Sequence, residues 1–432
     1  MLFLRLILLL ACLGSAAWYV DREQRAGRFQ HVDDLFLDVL VANARERLSQ
    51  PVIDEKDSSV AFIAIKEEQR GEYASWPPPP LDWQTLLKGL QPYDPSVLVI
   101  AMPLSWGTPA PEFVPAVKDA LLPFTSVVFG VETRLVENKT APSTPPFMGD
   151  LEDALPHFQR VDGEVQDAQA LSALIAAPDT SFRASGELGL LAVTSKAGTN
   201  TSSLPYALRA ENKLLPGVLA QTFARLTNSP YALHRLRLGP GGGAYLAEGT
   251  FVPLQNDASL AVTQRTQVPV INALDLMTGT LADALSAGDK AALGQSKVIV
   301  IGLDHEANET PRLAYLHAQA IADTLRLPRL QKLTEIQQWI AWGIAALAAA
   351  WIVLRTRRTS ALWRGIGFVF IALVTSFLAF HFKLLWCPPT MPVALIAVGA
   401  LVGRIAGRGR PKEAPAATPA PESMPDPAPP IG

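Results

Sequence analysis

Apolar residues fall into three patterns along this chain, and each pattern predicts a different element. Long unbroken runs lie at the two ends. Leu2 to Val20 is apolar except for Arg5, and Ile336 to Leu354 is apolar beyond Gln337 and Gln338. Gly365 to Phe382 is a further run, and Met391 to Val402 is the core of a last one expected to begin near Leu384. Such runs reach or approach the roughly 20 residues a helix needs to cross a hydrocarbon core. They predict an α-helical membrane anchor of one N-terminal and three C-terminal spans.

Short continuous runs lie between these ends. Ser59 to Ile65, Val97 to Ala101, Ser126 to Val131, Leu188 to Thr194 and Lys297 to Gly302 read as buried strands. The third pattern repeats at the helical period. Trp83, Leu86, Leu87 and Leu90 share one face after Asp82, a candidate cap, with Pro92 beyond. Glu112 to Leu122, Pro216 to Leu226 and Pro311 to Leu325 read as helices, and Gln166 to Ala176 as a short one. Asn272 caps another, with Asp275 three residues on. Phe29 to Leu48 is amphipathic and reads either as a helix packed on the domain or as a stalk or dimer seam.

Strands alternating with helices predict an α/β domain whose mainly parallel or mixed sheet is flanked by helices, with Lys297 to Gly302 central. Tyr245 to Pro253, broken at Glu248-Gly249, and Ser259 to Thr263 add antiparallel strands. Gly239-Pro-Gly-Gly-Gly243 lacks the Gly-Lys-Ser/Thr ending of a phosphate loop and predicts a turn. The expected organisation is a helix at 2–20, a domain at 25–330, three spans at 336–403 and a Pro/Ala-rich tail at 411–432 that cannot bury a core.

Charge orients this plan. Arg355, Arg357, Arg358 and Arg364 crowd the first short loop, and Arg404, Arg408, Arg410 and Lys412 follow the last span. The loop between the second and third closing spans holds only Lys383. The positive-inside bias therefore puts the basic flanks and both termini in the cytoplasm, and the domain outside it. Arg22, Arg25 and Arg28 oppose this, but a long domain translocates despite local charge. The first run also admits a cleaved signal peptide, or a lipoprotein signal at Cys12, beside the retained helix that the pattern favours.

Composition narrows function by exclusion. The net charge of −3, with no Lys/Arg block outside the membrane flanks, gives no footprint for nucleic acid. Cys12 and Cys387 both belong to membrane segments, so the domain must be stable without disulfides.

Asp304, His305, Glu306 and His317 form the best local cluster of chemistry-bearing residues. Open α/β sheets bind ligands beyond the carboxyl ends of their strands. Asp304, His305 and Glu306 stand at such an end and are candidate ligand-binding residues, the alternative being a solvated loop. His317 adjoins Leu313, Leu316, Ala320 and Ile321 and reads as a hydrogen-bonded core histidine, since a metal needs three or four converging ligands. No Gly-x-Ser-x-Gly or His-Glu-x-x-His is present. No catalytic residue, metal or cofactor is expected.

Several phrases resemble, in order, the type-2 CHASE family of bacterial extracytoplasmic sensory domains attached to cyclases and histidine kinases. They are Val60 to Ile65, Trp76-Pro77, Trp83 to Leu90, Val97 to Ala101, Phe251 to Leu254, Val298 to Gly302 and His317-Ala318, followed by three spans. The resemblance covers about residues 25 to 405. It implies a multi-pass protein of the bacterial inner membrane with a periplasmic sensory domain. Lys66, Pro80-Leu81 and Met102-Pro103-Leu104 depart from it, standing where the family carries Asp, Arg and a second Asp. An output domain is also expected to be lacking, so signalling would pass through a separate membrane or envelope protein. Besides the lipid bilayer, a second copy of the chain is a candidate partner. Gly399 and Gly403 are the expected seam for a partner helix. A structural envelope protein and an exported hydrolase are the alternatives.

Overall fold

The strand predicted at Lys297 to Gly302 occupies the middle of the main sheet. The computed structural model describes residues 2–25, 28–50, 59–106, 113–136, 151, 155–192, 194–195, 202–246, 249–262, 266–277, 285–304, 313–355 and 360–406. The principal helices are α1 (Leu2–Arg25), α2 (Gln30–Leu48), α3 (Pro80–Leu90), α4 (Val114–Leu121), α5 (Val218–Leu226), α6 (Ala273–Met277), α7 (Ala287–Gln295), α8 (Leu313–Leu325), α9 (Glu335–Arg355), α10 (Ala361–Lys383) and α11 (Thr390–Ala406). The strands of the main sheet are β1 (Val60–Lys66), β2 (Val97–Ile100), β3 (Val127–Leu135), β4 (Leu171–Ala176), β5 (Glu187–Leu191), β6 (Val270–Asn272) and β7 (Val298–Asp304). The chain divides into two compact units, residues 41–330 and residues 1–40 with 331–432.

In the first unit the order across the sheet is β6-β1-β7-β2-β3-β4, with β5 also on β3. Every pair is parallel except β3 with β4. Ile301 lies beside Ile63 on one side and Ile100 on the other. Alternate residues serve opposite layers. Val298 and Val300 join Val218 and Phe223 of α5 and Ile321 of α8. Ile299 and Ile301 join Trp83 and Leu86 of α3 and Leu121 of α4. Burial on both faces is why these strands read as unbroken apolar runs rather than alternating ones.

Two expectations fail here. Gln166 to Ala176 is not a helix: a 3-10 turn at Val165–Asp167 precedes β4, which runs antiparallel to β3. The far end of β3 offers an edge at Glu132 to Leu135, and pairing with it overrides a local preference. Asp82 does not cap α3. Pro79 occupies that position, Pro80 opens the helix, and the Asp82 carboxylate instead accepts from the Ala74 amide at 3.4 Å.

A smaller sheet combines Arg160–Asp162, Arg235–Arg237, Gly243–Tyr245 and Phe251–Pro253. The Gly-rich stretch forms the predicted turn between its second and third strands. Gly239 and Gly241 take positive φ of 83° and 76°, open to glycine without strain. Arg45 donates to the Gly242 and Leu254 carbonyls at 2.9 and 2.7 Å.

The second unit is helical. By length and composition, α9 and α10 could each cross a membrane, and Thr390–Ile405 is a shorter apolar helix. Leu9 and Leu13 of α1 share a core with Ala349 and Ile352 of α9 and Leu395 and Ile396 of α11. Gly399 sits so close to Ala349 that an added Cβ would lie 2.4 Å from the alanine Cβ. Gly403 likewise faces Ala361 and Ile352. The small-residue seam expected to receive a partner helix is therefore used within the unit.

The last helix begins at Thr390, not near Leu384. Leu384 closes α10 in the left-handed region, and Leu385–Trp386 pairs with Gln331–Lys332. Asp33 then caps α11 through Thr390. These contacts bring the start of α2, the entry to α9, the end of α10 and the start of α11 to one end of the unit. Ile340, Ile344 and Leu347 of α9 and Ile366, Phe370 and Ile371 of α10 are exposed. Trp339 on α9 and Trp363 on α10 stand near opposite ends of this apolar surface.

Candidate functional site

Of the predicted ligand residues, Asp304 ends β7, is 2% exposed and lies in register with Lys66 at the end of β1. His305 and Glu306 lie outside the described residues. His317 is the core histidine expected. Its Nδ1–H donates to the Leu313 carbonyl at 2.9 Å, and burial lowers its pKa to about 4. Among the described residues, no group of three or more His, Cys, Asp or Glu could hold a metal ion.

The neighbouring strand ends are closed over. Met102 and Leu104 are buried beyond β2. Trp106 donates from Nε1 to the Pro78 carbonyl at 2.8 Å and packs edge-on against Phe182. The Asp179 carboxylate accepts from Ser105 Oγ at 3.3 Å and from the Trp106 amide at 3.5 Å. Met102 and Leu104 thus fill this rim with apolar side chains rather than line a polar crevice.

A cleft of about 550 Å³ opens elsewhere in the same unit. It forms where α5 ends. The Thr227 hydroxyl donates to the Phe223 carbonyl at 2.8 Å, and Asn228 turns the chain with a φ of 44°. Ser229 and Pro230 lead into a 3-10 turn at Tyr231–Leu233. Gln221, Arg225, Asn228, Ser229 and Tyr231 line one side, with His157, Gln159 and Glu187 completing the polar lining. Glu187 and Arg225 form an ion pair. Gln221 is held by donation from Nε2 to the Leu188 carbonyl at 2.7 Å.

Behind the cleft is an aromatic group. Phe158 meets Tyr231 edge-on at 5.1 Å and Tyr206 at 6.1 Å, and His234 lies 5.5 Å from Tyr231. Its polar atoms are unusual. Ser229 Oγ, the Tyr206 and Tyr231 hydroxyls and both His234 ring nitrogens are buried without a hydrogen-bond partner. Buried polar groups in folded proteins are almost always bonded, and each orphan costs about 1–3 kcal/mol. Burial raises the pKa of Tyr206, and it raises that of Tyr231 well above the ordinary value. Burial also lowers that of His234; the Ser229 main chain offsets part of the drop without reaching hydrogen-bond geometry. All three groups are therefore neutral at neutral pH.

Sequence reasoning missed this site. Asn228-Ser229-Pro230 is a legible turn signal, but nothing in one dimension brings it beside Glu187 and Phe158. No family model matches this chain, and no curated protein and no solved structure matches it.

Proposed function

We propose that this chain is a membrane-anchored sensor or ligand-binding protein of the type-2 CHASE kind, with no catalytic role, acting through a separate protein. The observation that carries the reading is the α5 cleft with its buried, unpartnered polar atoms. Ser229 and Tyr231, which line the cleft, carry two of these atoms, and Tyr206 and His234 hold the other three behind it; a molecule that supplied the missing bonds would stabilise the fold.

The membrane half rests on the helical unit. Its exposed apolar surface, closed by Trp339 and Trp363, suits lipid between two aromatic belts. Arg355, Arg364 and Arg404 lie toward the end opposite Asp33 and Thr390, the arrangement expected if that end faces the cytoplasm. In this reading α1 and α11 complete a four-helix anchor in the bacterial inner membrane, and the α/β unit is periplasmic.

A second reading, a structural envelope protein, is favoured by α2. Val32, Leu35 and Val39 are 52%, 52% and 58% exposed at helical spacing, a stripe suited to a protein contact, including a second copy.

The test is a thermal-shift screen of the full chain in lipid nanodiscs, with mass spectrometry of co-purifying small molecules. A bound ligand at a hundredfold its Kd stabilises by about 2.7 kcal/mol. That shift should vanish when Ala224→Trp fills the cleft. Absence of any stabilising or co-purifying small molecule, together with a stable protein partner, would favour the structural reading.

A further inference from the structure

We infer that the α5 cleft takes an uncharged, polyhydroxylated ligand of one or two sugar rings. This rests on the cleft being a ligand site, and deepens that reading.

Charge comes first. Glu187 and Arg225 neutralise one another, so the pair gives no net field to select an anion or a cation. The orphan atoms come second. Ser229 and Tyr231 line the cleft, and each unpartnered hydroxyl can both donate and accept. A neutral imidazole at His234, just behind, offers one donor and one acceptor. Ligand hydroxyls have the same dual character. A carboxylate or phosphate would only accept, and an ammonium would only donate, leaving half of this capacity unused. Shape comes third. The Gln221 amide is fixed by its bond to Leu188, so it presents a planar polar edge in a set direction. The Tyr231 ring supplies an apolar face for the C–H side of a pyranose. The volume, about 550 Å³, falls within the usual range for small-molecule sites.

Access requires the Tyr231–Leu233 turn to yield, because the orphan atoms have no free surface of their own. The turn is suited to this: it is three residues long, and Leu233 is 56% exposed.

The experiment uses the full chain in nanodiscs, with titration calorimetry and thermal unfolding. Probes are D-glucose, D-galactose, maltose, trehalose and myo-inositol, against glucose 6-phosphate and L-glutamine. At least one neutral probe should bind and raise Tm. Ser229→Ala and Tyr231→Phe remove one hydroxyl each and should weaken that binding about tenfold, while ligand-free Tm stays level or rises as an orphan disappears. Failure of every neutral probe to bind overturns the inference, as does binding unaffected by both variants. If glucose 6-phosphate or glutamine binds instead and either variant weakens it, the cleft remains a ligand site and only the sugar assignment falls. A fall of several degrees in ligand-free Tm for Tyr231→Phe, with no probe bound, would make the hydroxyl structural and remove both readings.

Discussion

Asp33 and Thr390 stand 357 positions apart, yet one carboxylate oxygen of Asp33 accepts from both the Thr390 amide, at 3.2 Å, and its hydroxyl, at 2.5 Å. An aspartate from another helix thus satisfies donors at the start of α11, where the helix dipole also favours negative charge. Asp33→Ala should destabilise the helical unit by about 1 kcal/mol, the usual worth of an N-cap, and Asp33→Asn by less. Reversible unfolding of the full chain in detergent measures this; equal losses for the two variants would contradict the capping role.

Gly399 gives the next test, because its neighbour is Ala349 of the same chain rather than a partner. Gly399→Leu should therefore lower the unfolding temperature of isolated, partner-free chain. A variant of normal stability that only loses a crosslinked complex would restore the partner seam.

Ile301 is fully buried, between Ile63 and Ile100. Ile301→Asp would place an unpaired carboxylate there and should cost more than about 4 kcal/mol, enough to unfold most domains. A normal Tm for this variant would show that β7 is not the central strand.

His317 predicts an acid-side loss of stability. Its folded pKa is about 4, below the ordinary histidine value, so between those limits the unfolded chain binds the extra proton. Stability is complete above about pH 6.5 and falls by about 3 kcal/mol as pH drops to 4. His317→Gln should flatten that part of the Tm–pH curve while leaving its carboxylate-driven part. An unchanged slope would place the titration elsewhere.

Topology is checked by fusion. A reporter active only outside the cytoplasm should be silent after Ala406 and active after Leu330. With the Leu330 fusion active, an active fusion after Ala406 would mean that an even number of spans, and not three, lies between the two points.

How far the fold was legible follows from where each residue finds its partners. β1, β2 and β7 carry their burial in their own sequence, because both faces of each are covered. The segment Leu171 to Ala176 does not; it is a strand only because β3 outruns its parallel neighbours and leaves an edge. Strands of three residues, such as Arg235–Arg237 and Gly243–Tyr245, are too short to repeat the two-residue strand alternation even twice. Gly399 and Gly403 were visible as a small-residue step, but their spacing could not say which helix they meet. His317 was legible because its apolar neighbours lie on its own helix. The α5 cleft was not, because a missing hydrogen bond is a property of space and has no residue type.

The place of β7 in the sheet governs when the domain can fold. β1 and β2 are neighbours in sequence but not in space, since β7 lies between them, roughly 200 residues further along the chain than the end of β2. No shortened chain ending before Val298 can join β1 to β2, however much of it has left the ribosome. If the domain is exported, the strands already outside wait with open edges until β7 arrives, and α9 follows only about 30 residues later. In that case closure of the sheet and the emergence of α9 and α10 would be nearly simultaneous, and for most of its synthesis the segment would be a client for holding chaperones.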